Sequence, residues 1–162
     1  MYSIKPIPTV FEGTKFRSRL EARWALFFTY LRVPYKYEPK RFDLEFTKYT
    51  PDFCFNNRTF IEIKPDAIPN QTLRKLWILS VRYDLDAYLF SGDFYEYPTL
   101  SIFKFGRDGT ITFDYDFRYC PKCKALKLDN VDKCRVCGSE LVTFTYVKEK
   151  VKNYCFKDTN EN

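Results

Sequence analysis

The hydrophobic residues of this chain repeat with two different periods, which separate predicted helices from predicted strands. Between positions 16 and 31 they recur every three or four residues, which predicts an amphipathic helix. The same spacing returns after the prolines at 65 and 69, where Asn70 is the expected cap of a second helix that ends near Tyr83. We expect four residues of that helix to face inward: Leu73, Leu76, Trp77 and Ser80.

Stretches in which apolar and polar residues alternate lie on both sides of the second helix, and they predict strands. They cover residues 35–46, with an interruption at Pro39-Lys40, and then 53–64, 87–90, 99–105 and 109–113. The polar turn Asn56-Asn57-Arg58 divides the second stretch into a hairpin. Strands mixed with helices in this order predict an α/β fold.

The predicted hairpin carries polar residues with a distinct chemistry. Side chains alternate across a strand, so Glu62 and Lys64 emerge on one face while Ile61 and Ile63 emerge on the other, and the turn brings Asp52 beside Glu62. Two carboxylates, with water and substrate phosphate in the other positions, are a usual way to hold Mg²⁺. A lysine beside such an ion could orient or deprotonate a water, or stabilise charge on a phosphate. The alternative is that both acids are solvated and that Lys64 only ends a strand.

The first predicted helix carries one acid on its apolar side. Glu21 shares a stripe with Trp24 and Phe28, so its carboxylate should lie at the edge of the face that packs on the sheet. An acid in that place is costly unless it has a partner. The alternative is a capping box, in which Glu21 reaches back to the backbone N–H of Ser18, and it is compatible with a role in a site. Glu38 is a weaker candidate acid and a predicted turn residue.

The order of a helix-borne Glu21, then Pro51-Asp52, then Glu62-Ile63-Lys64 resembles the PD-(D/E)xK nuclease superfamily. Within it, the strings SRLEARW, YEP, YTPDF and IEIKP resemble small nuclease-like proteins of phage and bacterial genomes, and more distantly the endonuclease subunit of cut-and-paste transposons. The resemblance covers residues 11 to 91. It implies a restriction-endonuclease-like αβββαβ core with a mixed sheet.

The resemblance also implies roles for four residues. Asp52 and Glu62 would be ligands of Mg²⁺ or Mn²⁺, and Glu21 would be a further ligand, either direct or through water. Lys64 would position the attacking water.

Composition excludes several other chemistries. The 162 residues contain no histidine, so a histidine general base and Ser-His or Cys-His nucleophile pairs are absent from this chain. The formal net charge of +6 suits a polyanionic partner but is also ordinary. No stretch approaches the ~18 apolar residues of a membrane span, and the N-terminus lacks an apolar signal segment. We therefore expect no membrane partner and a cytoplasmic location, in the host cytoplasm if the protein is phage-encoded.

Four of the six cysteines form two Cys-x-x-Cys pairs, Cys120 with Cys123 and Cys134 with Cys137. Such pairs allow four thiolates to reach one tetrahedral Zn²⁺, and the alternating stretches 109–119 and 140–147 predict the strands of a zinc ribbon. A redox pair or two disulfides is the competing interpretation, which a reducing compartment disfavours. Lys122 and Lys124 lie among the basic residues around these pairs, and they could contact phosphates or only keep the ribbon soluble.

These patterns predict a nuclease-like core with a trailing hairpin at 1–115, a small C-terminal β zinc ribbon at 116–148 and a polar tail at 149–162. We expect a metal-dependent endonuclease that hydrolyses DNA phosphodiester bonds, with Arg74 and Lys75 as further candidate phosphate contacts. The sequence is compatible with a homodimer and with membership of a larger viral or recombination complex. The alternatives are a catalytically silent nucleic-acid-binding or assembly module, and a structural protein that uses the ribbon only for docking.

Overall fold

The protein has an α/β fold, with a mixed central sheet and two helices among the described residues. The computed structural model describes residues 5–92, 101–114, 118–127 and 131–143. Its helices within these ranges are α1 (Arg19–Tyr30) and α2 (Asn70–Tyr83). The strands are β1 (Thr9–Phe11), β2 (Thr14–Phe16), β3 (Lys36–Tyr37), β4 (Phe42–Asp43), β5 (Lys48–Tyr49), β6 (Phe53–Phe55), β7 (Thr59–Lys64), β8 (Asp86–Ser91), β9 (Ser101–Phe105), β10 (Ile111–Asp114), β11 (Arg118–Cys120), β12 (Ala125–Lys127) and β13 (Val142–Thr143).

A six-stranded mixed sheet in the order β10-β9-β8-β7-β6-β3 forms the centre of the molecule. Strands β7 and β8 run parallel, and α2 makes the connection between them that a parallel pair requires. The other neighbours in this sheet are antiparallel. The short pairs β1–β2 and β4–β5 form separate two-stranded sheets.

Each face of the central sheet is covered by its own hydrophobic cluster. The cluster on the α1 side contains Trp24, Phe28 and Ile61, and the cluster on the α2 side contains Leu76 and Phe60. Successive residues of β7 alternate between the two clusters. The burial of its neighbours therefore fixes the face of the sheet on which Glu62 lies. This alternation confirms the predicted separation of the polar pair from the two isoleucines.

Two expectations about α2 are wrong. The residue before the helix is Pro69, with φ of −64°, and no side chain caps the first turn, so Asn70 is the first helical residue and not the cap. A proline is well suited to that position because its φ is fixed near −65°. Trp77 is 42% exposed, and its Nε1 donates to the carbonyl of Gly109 at 3.2 Å. Leu79, which is not among the residues expected to face inward, is fully buried.

The C-terminal part of the described chain folds as a three-stranded antiparallel sheet in the order β12-β11-β13. Tyr119 and Leu126 of this sheet are buried in the same cluster as the α1 side chains. In addition, Asn56 Nδ2 donates to the carbonyl of Lys124 at 3.0 Å. The small sheet therefore shares its core with the larger one. Residues 115–117, where we expect the boundary, and the predicted tail at 149–162 lie outside the described residues.

Neither of the two helices in the described part of the chain is long and apolar enough to cross a membrane.

Candidate functional site

The hairpin β6–β7 brings Asp52, Glu62 and Lys64 together at one end of the sheet. Phe53 pairs with Ile61, so Asp52, one residue earlier, lies across from Glu62. Both acids are buried, with 2% and 6% of their surface exposed. Lys64 Nζ donates to Glu62 Oε1 at 2.5 Å. The alternative in which both acids are solvated strand residues is therefore wrong.

Glu21 reaches this region from the first turn of α1, where it is also buried. The hydroxyl of Ser18 accepts a hydrogen bond from the backbone N–H of Glu21 at 3.2 Å, and the same hydroxyl donates to Glu21 Oε1 at 2.8 Å. The hydroxyl of Tyr37 donates to Oε2 at 2.5 Å. Ser18 is thus the helix cap, and the Glu21 carboxylate bonds two hydroxyls near the site.

Arg17 is a member of this site that the sequence analysis missed. Its Nη2 donates to Asp52 Oδ1 at 3.0 Å and forms an ion pair with Glu38 Oε1 at 2.5 Å. The Arg17 side chain is 61% exposed, whereas that of Asp52 is 3% exposed. Glu38 is in a turn, as predicted, with φ of 45°, and its N–H donates to the carbonyl of Asp52 at 2.8 Å. An exposed cation therefore bridges Asp52 to a second acid.

Two tyrosines complete the hydrogen bonding of the acids. Tyr49 is buried and donates to Glu62 Oε2 at 2.9 Å. Tyr37, which bonds Glu21, itself accepts the backbone N–H of Arg17 at 3.1 Å. Both tyrosines occur in the strings YEP and YTPDF, but nothing in their local spacing identifies the acid that each one contacts.

Each carboxylate oxygen of the three buried acids accepts a hydrogen bond from the protein. The remaining oxygen, Asp52 Oδ2, accepts the backbone N–H of Ile63 at 2.7 Å. The acids are held in fixed orientations by these donors, as the ligands of a metal usually are by their outer partners.

The electrostatics of the site favour a cation. Burial of Asp52 raises its pKa well above the usual range, and the charges of Glu62 and Glu21 raise it further. Burial, followed by the neighbouring carboxylate, also raises the pKa of Tyr37 and of Tyr49, so both phenols stay protonated and continue to donate. Additional positive charge between the acids would relieve their repulsion.

The donor set suits a divalent ion, but the acids are now paired with side-chain cations. Hard oxygen donors in a buried, acid-rich site are what Mg²⁺ and Mn²⁺ bind. Among the described residues, however, the group of three or more ligand atoms that lie within 4.8 Å of one another consists of the cysteines and not of Glu21, Asp52 and Glu62. An ion that bound these acids would therefore compete with Arg17 and Lys64.

The candidate phosphate contacts lie on different elements of the fold. Lys75 Nζ is 5.5 Å from the ring centroid of Tyr49, so it is close to the Glu62 side of the site. Arg74 stacks over the ring of Phe46, at 4.5 Å. Lys122 and Lys124 lie in the turn between β11 and β12.

The cysteines Cys120, Cys123, Cys134 and Cys137 form a second site, which can hold a metal ion such as zinc. The sulfurs of Cys120 and Cys137 are 3.5 Å apart, and those of Cys123 and Cys134 are 3.8 Å apart. A tetrahedral ion with Zn–S bonds of about 2.3 Å separates its sulfurs by about 3.8 Å. All four thiols are free, so the competing disulfide interpretation is not the state of this structure.

The backbone around the cysteines repeats the same turn twice. Lys124 follows Cys123 with φ of 55°, and Gly138 follows Cys137 with φ of 72°. The N–H of each donates to the carbonyl of the first cysteine of its pair, at 2.8 and 2.7 Å. Hydrogen bonds from Ser139 lower the pKa of Cys137 to about 6, which favours the thiolate that a metal requires.

Comparison of this chain with protein-family models, curated proteins and solved structures finds no match.

Proposed function

We propose that the protein is a metal-dependent endonuclease that hydrolyses phosphodiester bonds, with DNA as the substrate. The observation that carries this proposal is the convergence of three buried acids and Lys64, in which each carboxylate oxygen is already oriented by a donor. Structural acids are rarely buried in such a group, because desolvation and mutual repulsion destabilise the fold. A buried acid such as Asp52, whose pKa is raised by burial and by neighbouring acids, is typical of functional sites.

The order of the elements is consistent with the fold that the sequence resemblance implies. Along the chain, α1, β3, β6, β7, α2 and β8 follow one another as αβββαβ, if the separate β4–β5 pair is set aside. Three strands of this set, β8, β7 and β6, lie side by side with β7 in the middle, and β3 is the edge strand next to β6. The proposed catalytic residues come from the middle of this arrangement and from the start of α1.

In this mechanism Asp52 and Glu62 would hold Mg²⁺ or Mn²⁺, with Glu21 as a direct or water-mediated ligand. The ion would supply Lewis-acid stabilisation of the phosphate and a bound water of lowered pKa. Lys64 would turn from Glu62 to the attacking water and orient it through Nζ. Tyr49 and Tyr37 would hold the two glutamates in place through the same hydrogen bonds that they make now.

We further propose that the four cysteines hold a structural Zn²⁺. The ion would fix β11 against β12 and β13 and so keep Tyr119 in the shared core. Its contribution would be to folding, since all four ligands come from the protein and no position is left open for a substrate.

Cleavage of plasmid, linear, branched and single-stranded DNA with Mg²⁺ or Mn²⁺ tests the proposal. Asp52→Ala and Glu62→Ala should each abolish cleavage and leave substrate binding intact or tighter, because a carboxylate that repels phosphate is removed. Glu140→Ala, which removes an exposed acid of the small sheet, is the matched control and should cut normally. Wild-type cleavage that needs no divalent metal, or an Asp52→Ala protein as active as its parent, would refute the mechanism.

The second candidate is a catalytically silent nucleic-acid-binding module. The observation in its favour is that Arg17 and Lys64 are already ion-paired with Asp52 and Glu62, so side-chain cations stand where a metal would act. Binding of DNA that is unaffected by Mg²⁺, with no cleavage of any substrate in the panel, would support this candidate over the first.

A further inference from the structure

A cavity of about 340 Å³ opens beside the acids, between the N-terminal segment, the start of α1 and the end of β7. Two of the proposed catalytic residues, Glu21 and Lys64, form part of its wall. Ser18, the cap of α1, lies at the same end. The cavity is therefore continuous with the proposed site of cleavage.

Most of the remaining wall is apolar. The apolar part of the wall consists of Pro6, Ile7, Leu20, Ile63 and Pro65. Ile7 is 53% exposed, so its side chain is accessible to a ligand that enters the cavity. A group that fills this space is expected to be flat or compact and largely uncharged.

Cationic side chains stand at the edge of the same cavity. Lys5 and Arg19 line it together with Lys64, while Glu21 is the acid among the lining residues. An apolar wall next to several cations suits a ligand that joins an uncharged body to an anionic group. A nucleotide has this composition, since its base is apolar on both faces and its phosphate is negative.

We propose that this pocket binds one unpaired base of the nucleic-acid strand, next to the phosphate that is cut. The proposal rests on the proposed function, since it assigns a substrate feature to that site. A volume of about 340 Å³ is at the lower end of the roughly 300–1,000 Å³ found for small-ligand pockets, so it admits a single nucleotide but not a duplex. Enzymes that act within nucleic acids hold displaced bases in pockets of this kind, between apolar or aromatic side chains.

The consequence is a preference for substrate structure. A base that is already unpaired enters the pocket without the energetic cost of breaking a base pair and its stacking. Frayed ends, bulges and flaps should therefore bind better than continuous duplex, and the bond cut should be the one beside the unpaired nucleotide.

Binding can be measured without cleavage and without added divalent metal. Two duplexes of equal length are compared, one fully paired and one with a single unpaired 2-aminopurine, whose fluorescence reports its surroundings. The wild-type protein should bind the second duplex about tenfold more tightly, as expected when one base buries apolar surface against aliphatic side chains. The 2-aminopurine emission should change on binding, because the base leaves water.

Ile7→Ala should remove most of this preference and leave the affinity for fully paired duplex unchanged. The substitution is expected to fold normally because Ile7 is more than half exposed. Val10→Ala is the matched control, since Val10 is an exposed aliphatic residue of β1 outside the cavity wall, and it should keep the full preference. Leu20→Ala changes a second apolar residue of the wall and should reduce the preference in the same way.

Equal binding of the two duplexes, or an Ile7→Ala effect of the same size on both, would overturn the pocket assignment. Cleavage of plasmid by the wild-type protein would still support the nuclease in that case. Conversely, a preference that depends on Ile7 in a protein that cleaves nothing would keep the pocket and refute the proposed function. Competition by a free nucleoside monophosphate as strong as that by the strand would assign the pocket to a free nucleotide instead.

Discussion

Arg17→Ala is expected to strengthen the binding of Mn²⁺ or Mg²⁺ by the acids. The Arg17 guanidinium donates to Asp52 Oδ1 at 3.0 Å, so an ion that needs this oxygen must replace it. The alanine variant has no such contact to lose. The same change should leave the unoccupied protein less stable, because Asp52 would then be buried beside two other acids without its cation.

The magnitude follows from the unequal exposure of the two partners. Exposed ion pairs contribute about 0.2–1 kcal/mol, whereas removal of one partner from a buried pair costs about 3–5 kcal/mol. The Arg17 side chain is 61% exposed and that of Asp52 is 3% exposed, so the contribution of this pair should be closer to that of an exposed ion pair. A contribution of about 1–2 kcal/mol corresponds to a metal dissociation constant that is about 5–30-fold lower in the variant.

Isothermal titration with Mn²⁺ at physiological salt measures this change. Lys15→Ala is the matched control, since it removes an exposed cation from the strand that precedes Arg17, and screening should keep its effect below about twofold. Arg17→Lys should fall between the two, because lysine keeps the charge but not the planar fork of donors. Weaker metal binding in Arg17→Ala would mean that Arg17 orients Asp52 for the ion, and an effect no larger than that of Lys15→Ala would mean that the two do not compete.

Three further changes test other parts of the site. Glu21→Gln should lower the melting temperature by about 2–4 °C, because the amide nitrogen cannot accept the hydrogen bond that Ser18 or Tyr37 donates. It should also raise the Mg²⁺ concentration needed for half-maximal cleavage, because the amide loses the charge that faces the ion; an unchanged Mg²⁺ titration would exclude Glu21 as a ligand. Metal analysis of the wild-type protein should find about one zinc per chain, and Cys134→Ser should remove it. The same variant should lower the melting temperature of the whole protein, because Tyr119 lies in the main core. A zinc-free wild-type protein would refute the site. Asp52→Asn should change the pH dependence of unfolding by urea without added Mg²⁺. The pKa of Asp52 is raised in the folded state, so the wild-type protein loses stability as pH rises from about 4 through that pKa, whereas the variant does not; parallel pH profiles would contradict this.

The parts of the site that could be predicted from sequence are those fixed by local periodicity. The twofold repeat of β7 separates Glu62 from Ile63, and the helical repeat of α1 places Glu21 beside Trp24. The spacing of the cysteines likewise defines two tight turns, and these turns bring four sulfurs together. In each case the residues that matter are neighbours on one element or on one hairpin.

The parts that could not be predicted depend on pairing between distant segments. Arg17 meets Asp52 across 35 residues of sequence, and Tyr37 meets Glu21 across 16. No periodicity relates such positions, because their approach depends on how α1 packs on the sheet and on where β3 pairs within it. The exposure of Trp77 has the same origin, because its hydrogen-bond acceptor comes from the turn between β9 and β10.

The two proposed functions require different behaviour of these long-range contacts. The hydrogen bonds of the tyrosines are compatible with a bound ion, because a phenol that donates to one lone pair of a carboxylate leaves the other lone pair for a metal. The contacts of Arg17 and Lys64 are not compatible with a bound ion in the same way, because these side chains supply the positive charge that an ion would supply. A nuclease must therefore exchange side-chain charge for metal charge when it is activated, and the released Arg17 would then face the substrate phosphate. A silent binding module needs no exchange and would keep both pairs when DNA binds, so the effect of Mn²⁺ on the DNA affinity of the wild-type protein separates the two classes without any measurement of cleavage.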